Sequence, residues 1–411
     1  MCATSQRTSW GTVSFVLYAL VWLFCVGTAE AAPPAAASEV RSPSTDTERP
    51  EEGARDAIEL LGESVARGTL RRLDWHSSAN QAGVQLGAPV LVVHGTKPGP
   101  VLCLSSAVHG DELNGIEIVR RIVYTTDPST LSGTLIGVPI VNLSGFQRGS
   151  RYLSDRRDLN RYFPGNPAGS LASRVAYSFF NAVVRHCDRL VDLHTGSFHR
   201  SNLPQLRANL ANDDVLEMTH GFGRISVLHS TGGEGTLRRA AALAGIPAVT
   251  IEAGEPLRLQ EEEVVEGVEA IESYMTHLGM ISKIRVFGAP QPVYYESTWV
   301  RSNRSGILLS SVELGESVEL GQRLGRVIDP VTNEQEELNA PFDGRVLGMA
   351  LNQVVLPGFA AFRLGAETRE DELHDAAAGQ AELEEHDGGA DEPLPAQPIL
   401  EVPEEPENHD P

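Results

Sequence analysis

Residues 101–115 read VLCLSSAVHGDELNG. The apolar run from Val101 to Ala107 ends at a polar turn, and apolar residues at helical spacing follow from Gly115 to Tyr124. A short apolar run that ends at a turn and leads into an amphipathic helix is typical of a buried strand in an α/β sheet. The same succession recurs, with strands predicted at Val90 to Val93, Thr134 to Val141, Arg189 to Leu193 and Ala248 to Ile251, and helices at Leu171 to Cys187, Thr236 to Ala244 and Glu261 to Leu278.

Apolar strands that alternate with helices predict an α/β fold with a mixed, mostly parallel sheet flanked by helices. Ligands of such sheets bind at the carboxyl ends of the strands. After Lys283 the pattern changes to Val, Leu and Gly at short spacing, with frequent turn signals. This pattern predicts a C-terminal all-β domain, either a small barrel or a sandwich.

The chain of 411 residues is long enough for more than one domain. Residues 1–31 are predicted to be a signal peptide, because Arg7 precedes an apolar run from Val13 to Val26 and small residues flank a cleavage point after Ala31. An uncleaved anchor is the alternative. The other predicted segments are a disordered linker over 32–54, the α/β domain over 55–282, the β domain over 283–366 and an acidic disordered tail over 367–411.

The net charge of −22 is concentrated at the C-terminus, where residues 367–411 contain sixteen carboxylates and one basic side chain. A segment this acidic, with almost no aromatic residues, is predicted to stay solvated. The charge argues against nucleic-acid binding, which favours a basic patch. With the signal peptide removed, we expect a periplasmic or secreted protein without stable membrane association.

Removal of the signal peptide would leave Cys103 and Cys187 as the remaining cysteines. A disulfide between them and two buried thiols are both compatible with the sequence, since each residue lies in an apolar context.

Three predicted strands end in residues that can bind metal or move protons. His109 and Glu112 follow the first strand, His194 follows the strand over Arg189 to Leu193, and Glu252 ends the strand that begins at Ala248. Imidazole nitrogen and carboxylate oxygen both suit zinc, and three protein ligands leave a position for water. Glu252 is then the candidate general base. Each motif also has a structural interpretation, as a helix N-terminus, a polar strand end or a paired glutamate.

The segment over residues 151–165, RYLSDRRDLNRYFPG, is rich in arginine. Arginine binds carboxylates through a planar fork and can stabilise the oxyanion that forms at an attacked carbonyl. A salt-bridged surface loop is the alternative interpretation.

Four motifs in order resemble the succinylglutamate desuccinylase and aspartoacylase family, a branch of the zinc carboxypeptidases: His109 to Glu112, Asp158 to Arg161, Asp192 to His194 and Ile251 to Gly254. The resemblance covers about residues 80–366 and implies a zinc carboxypeptidase-like fold with an appended β domain. It also implies one zinc ion per chain, held by His109, Glu112 and His194.

The same resemblance implies a role for each of the remaining site residues. Glu252 would act as the general base, Arg151 would polarise the carbonyl, and Asn160 and Arg161 would bind a substrate carboxylate. The implied reaction is hydrolysis of a small N-acyl amino acid through Glu-assisted attack of zinc-bound water. The alternatives are a zinc carboxypeptidase acting on short peptides and, from another class, an exported binding protein without catalysis.

Overall fold

The computed structural model describes residues 57–81, 84–283 and 292–367. The predicted signal peptide, the predicted linker and the acidic tail after Glu367 lie outside these residues, so their predictions stand untested. Within the described residues, every helix is too short or too polar to cross a bilayer.

Helices and strands alternate up to His277. The strands of this part are β1 (Ala57–Leu60), β2 (Glu63–Ala66), β3 (Thr69–Gln81), β4 (Val84–His94), β5 (Lys97–Ser106), β6 (Ser132–Val138), β7 (Arg189–His194), β8 (Arg200–Ala208), β9 (Ser226–His229) and β10 (Ala248–Gly254). The helices are α1 (Asn114–Thr125), α2 (Leu143–Phe146), α3 (Leu171–Ala182), α4 (Asp213–Thr219), α5 (Leu237–Leu243) and α6 (Glu261–His277), with single 3-10 turns at Leu159–Arg161 and Val184–His186.

From Val293 onward all described regular elements are strands. They are β11 (Val293–Arg301), β12 (Gly306–Ser310), β13 (Ser317–Val318), β14 (Arg323–Ile328), β15 (Gln335–Asn339), β16 (Gly344–Ala350), β17 (Val354–Val355) and β18 (Ala360–Glu367). Two sheets of this part enclose a core of their own, which includes Leu308, Val327, Val346 and Phe362.

One continuous sheet runs through both parts of the molecule, in the order β13-β16-β18-β11-β9-β8-β10-β7-β5-β6-β4-β3. Its four central strands, β6, β5, β7 and β10, are parallel, whereas β4 and β8 flank them antiparallel. The predicted mixed sheet is confirmed. Parallel pairing holds for these central strands and for β9, which pairs parallel with both β8 and β11, whereas the remaining neighbours in the sheet are antiparallel. The reason is visible at β7 and β8, which are joined by the five residues 195–199, too few for a parallel crossover.

Helices cover both faces of the central strands, as the sequence predicts. The alternation of side chains along β5 places Leu102 and Leu104 in a core with α1 and α6, and Cys103 in the opposite core with α3. Cys103 forms a disulfide with Cys187, with 5.7 Å between their Cα atoms. The structure therefore decides between the two cysteine states that the sequence left open.

Candidate metal centre and active site

His109 and Glu112 lie in the turn between β5 and α1. Ala107, at the start of this turn, has a φ of 47°, which redirects the chain as it leaves the sheet. Gly110 packs against α2 so closely that a Cβ atom would lie 2.1 Å from the carbonyl carbon of Gly145. Both side chains are consequently held inside the protein, with exposed fractions of 3% for His109 and 2% for Glu112.

His194 joins them because β7 runs parallel to β5, so that both strands end at the same edge of the sheet. The Nδ1 atoms of His109 and His194 lie 3.1 Å apart, and each is 2.8 Å from a different carboxylate oxygen of Glu112. One candidate ligand atom from each of the three residues lies within 4.8 Å of the other two. The structure thus brings together the three residues that the sequence predicts as metal ligands.

The outer nitrogen of each ring contacts an aspartate. His109 Nε2 is 3.0 Å from Asp158, and His194 Nε2 is 2.8 Å from Asp192. Metal-binding histidines generally donate their second N–H to such a group, which orients the ring. If each Nε2 donates, the neutral rings turn their Nδ1 lone pairs towards each other and towards Glu112. In that tautomeric state three groups with free lone pairs converge on one point, and two imidazoles with a carboxylate are a set that can hold a metal ion.

Sequence reasoning assigned no such role to either aspartate. Asp192 lies two residues before His194, on the same face of β7, so the period-two pattern of a strand could have revealed it. Asp158 is 49 residues from His109 in sequence, and no local pattern connects the two.

The charges of the site are mutually compensated. Burial by itself raises the pKa of Glu112, but His109 and His194 hold this pKa well below its usual range. Burial and Arg151 lower the pKa of His109, but the carboxylates of Glu112 and Asp158 outweigh them and raise it. Removing any one of these charges would leave another buried and unpaired.

Arg151 is buried against this group. Its guanidinium donates to Asp158 Oδ2 at 2.8 Å and to Ser197 Oγ at 2.7 Å, and it lies 3.4 Å from Glu112. It also lines the cavity described below, beside the candidate ligand Glu112.

Glu252 is the register partner of His194 on the neighbouring parallel strand β10. Its carboxylate accepts a hydrogen bond from Asn202 at 2.9 Å and pairs with Arg207 at 3.1 Å, both from the antiparallel strand β8. The arginine pairing that the sequence raised as an alternative is therefore present, and Glu252 nevertheless lines the cavity beside the three candidate ligands.

Asn160 and Arg161 form the 3-10 turn at Leu159–Arg161 and also line the cavity. Asn160 Oδ1 accepts a hydrogen bond from the backbone N–H of Leu237 at 2.8 Å. This bond orients the side chain, so its amide nitrogen is the part that can donate to a ligand.

The cavity has a volume of about 1090 Å³ and is polar. Strand ends of the central sheet form one wall. The β strands after Val293 form another, through Tyr295, Glu296, Ser297, Thr298, Trp299, Phe342 and Arg363. Arginines are numerous around it, at positions 151, 161, 200, 207, 238, 239 and 363. The two parts of the molecule therefore share a single site.

Residues 98–278, which carry all of the candidate ligands and the candidate base, match the family model of the succinylglutamate desuccinylase/aspartoacylase catalytic domain. This domain belongs to the succinylglutamate desuccinylase/aspartoacylase family. The resemblance seen in the four sequence motifs is thereby confirmed.

One relative with significant sequence similarity is an N-alpha-acetyl-L-2,4-diaminobutyric acid deacetylase from Halomonas elongata. It is 28% identical over 254 residues, which cover 59% of this chain and 74% of the relative.

Solved structures of the family share the fold. A succinylglutamate desuccinylase/aspartoacylase from Rhodobacter sphaeroides has a TM-score of 0.66 at 24% identity, covering 73% of this chain and 96% of its own. A product-bound ectoine utilization protein from Ruegeria pomeroyi has a TM-score of 0.66 at 23% identity, with the same coverage. The relatives that are named for an activity are a deacetylase and succinylglutamate desuccinylases or aspartoacylases, and they share with this chain the fold that carries the candidate site.

Proposed function

We propose that this protein is an exported, zinc-dependent hydrolase that cleaves the amide bond of a small N-acyl amino acid. The observation that carries the proposal is the cluster of His109, Glu112 and His194, whose inner atoms converge while aspartates support the outer ring nitrogens. Two imidazoles and one carboxylate are a common catalytic zinc set, and they leave a coordination position open.

When bound, zinc lowers the pKa of a coordinated water molecule to ~7 and polarises a carbonyl group. Glu252 supplies the base that takes a proton from the attacking water and delivers it to the leaving nitrogen. Asn202 and Arg207 orient its carboxylate from β8, so that the base has a defined direction in the cavity.

Arg151 polarises the carbonyl of the scissile amide and stabilises the negative charge that develops on its oxygen. Its buried position, with fixed hydrogen bonds to Asp158 and Ser197, supports this assignment, since preorganised donors need no rearrangement during the reaction. Asn160 and Arg161 bind the carboxylate of the amino acid part, through an amide N–H and a guanidinium.

A small substrate is favoured over a peptide because the strands after Val293 close one side of the cavity. Trp299, Phe342 and Arg363 line the cavity on this side, and we expect them to limit the length of the substrate that it can hold. This closed wall argues for an N-acyl amino acid, as in the name of the Halomonas relative.

The proposal is tested by the metal content and the hydrolysis of N-acyl amino acids by wild type, His109→Ala, His194→Ala and Glu252→Gln. We expect about one zinc per chain in wild type and loss of metal and activity in both histidine variants. Glu252→Gln should keep the metal and lose about 10²–10⁴-fold in kcat, the usual contribution of a general base.

Glu255→Gln is the matched control. Glu255 is also buried near the end of β10, but it pairs with Arg258 instead of lining the cavity. If the wild-type protein binds N-acyl amino acids without hydrolysing them, the non-catalytic alternative is supported instead. If the wild-type protein contains no zinc after reconstitution, the mechanism is contradicted.

Export is supported by the apolar run near the N-terminus and by the disulfide between Cys103 and Cys187, because disulfides persist mainly in oxidising compartments. N-terminal sequencing of the protein after expression of the full chain tests it. A mature protein that begins at Ala32 is the expected result, whereas an intact Met1 in a reducing compartment would contradict export.

A further inference from the structure

The turn that joins β7 to β8 has an unusual backbone. Phe198 and His199 are consecutive non-glycine residues with φ of 55° and 56°. Such left-handed conformations are strained for residues that have a Cβ atom, and they persist only where surrounding contacts enforce them. This turn directly follows the candidate ligand His194, and its first half lines the cavity.

Hydrogen bonds from the connection between β16 and β17 hold this backbone conformation in place. The carbonyl oxygen of His199 accepts two hydrogen bonds of 2.8 Å, from the backbone N–H of Leu351 and from the side-chain amide of Gln353. Both donors lie between β16 and β17, so the β part of the molecule holds the turn of the catalytic part.

Residues of this turn contact Arg151. Ser197 Oγ accepts a hydrogen bond of 2.7 Å from Arg151, and the guanidinium carbon lies 5.4 Å from the centre of the Phe198 ring. Cation–π contacts of this length are attractive, and they fix the plane of the guanidinium. The opposite side of the arginine is fixed by Asp158 at 2.8 Å.

We propose that Phe198 is a positioning residue for Arg151, and that the hydrogen bonds from Leu351 and Gln353 to His199 set its place. The proposal rests on the proposed role of Arg151. It assigns to the β domain a part in catalysis besides closing the cavity: it aims the group that polarises the substrate carbonyl.

The sharpest test is a double-mutant cycle of Phe198→Leu and Arg151→Ala. We expect Phe198→Leu to lower kcat by about tenfold at nearly constant KM. The reason is that a misaligned Arg151 would stabilise the transition state less well, while its contribution to substrate binding would change little. In the Arg151→Ala background the same substitution should have no further effect. The variant Phe198→Tyr, which keeps the aromatic ring, should have the kcat of the wild-type protein.

A second cycle measures equilibrium binding of methylphosphonate, a small tetrahedral anion that resembles the reaction intermediate of an acetyl group, by titration calorimetry. This readout is independent of turnover. If Phe198→Leu weakens the binding of methylphosphonate in the wild-type background but not in the Arg151→Ala background, the proposal is supported. This holds even if the protein hydrolyses no N-acyl amino acid, a result that would contradict the proposed function only.

Gln353→Ala tests the contact from the β domain, with Gln335→Ala on the exposed strand β15 as its control. We expect a fall in kcat of about threefold to tenfold for Gln353→Ala only, at an unchanged melting temperature. Equal losses from Phe198→Leu in both Arg151 backgrounds would overturn the proposal. So would an affinity for methylphosphonate that Arg151→Ala leaves unchanged, since Arg151 would then have no role to be positioned for.

Discussion

Glu112 in the candidate metal centre and Glu263 on α6 are two glutamates that lose much of their solvent, yet their pKa values shift in opposite directions. Burial raises both values. Around Glu112 the rings of His109 and His194 reverse this effect, so its pKa falls well below the usual range. Around Glu263 the neighbours Glu266, Glu262 and Glu255 add to it, and its pKa rises to about 7.

The direction in which the pKa of a buried carboxylate shifts is thus decided by the charges that the fold places beside it. The centre places two imidazole rings, which can carry positive charge, against its carboxylate. Helix α6 collects like charges, which its N-terminus tolerates because the helix dipole favours anions in the first turn. We therefore expect substitutions at the two places to have different consequences.

Glu112→Gln should have the largest effect. The amide removes the anion that faces both Nδ1 atoms, and a neutral oxygen is a much weaker zinc ligand. We expect metal content and hydrolysis to fall below detection, measured by elemental analysis and by assay. Glu117→Gln is the control, since Glu117 pairs with Arg120 and Arg121 on the surface of α1. Full metal content in Glu112→Gln would remove Glu112 from the ligand set.

Asp192→Asn tests the aspartate that contacts the outer nitrogen of His194. An asparagine that still accepts the hydrogen bond from Ser105 presents its N–H to the N–H of His194, and the ring must then change its tautomer. We expect zinc affinity to weaken about 10–100-fold in a competition titration with a chelator.

Asp188→Asn, at the other end of the same segment, is the control for Asp192→Asn. Its side chain accepts only from the backbone of Val101 among the described contacts, and an amide oxygen can replace it there. An equal loss of affinity in both variants would indicate a general destabilisation of β7.

Glu263→Gln should have the smallest effect. Because the pKa of Glu263 is raised on folding, the folded state binds more protons than the unfolded state between pH 4.5 and about 7. This group therefore lowers the stability of wild type as the pH rises through this window. At pH 8 the variant should melt higher by roughly 2 °C, and this advantage should shrink towards pH 5.

Glu261→Gln provides a comparison of opposite sign. Hydrogen bonds from Arg121 lower the pKa of Glu261, so this substitution should not raise the melting temperature at pH 8. The same gain from both substitutions would show that the net charge of α6, not the local environment of Glu263, sets the effect.

Most elements of the central sheet could be predicted because their signals are local. The helix predicted from Glu261 to Leu278 is observed as Glu261–His277, and that from Gly115 to Tyr124 as Asn114–Thr125. Strands β8 and β9 were not predicted. Strand β8 is buried at most positions although it carries Arg, Ser, Asn and Gln, so hydrophobic periodicity does not mark it.

The residues at the carboxyl ends of the central strands could be identified from the amino-acid sequence, which predicted His109, Glu112, His194 and Glu252 as one group. Apolar runs that end in polar residues are local patterns, and parallel strands deliver their ends to a common edge.

The surroundings of that group depend on the tertiary fold: the aspartates behind the histidines, the side chains that hold Glu252, and the wall formed after Val293. The same holds for the disulfide between Cys103 and Cys187. These contacts join residues that are far apart in the chain. Their formation depends on how whole elements pack, and no periodicity within one element records that.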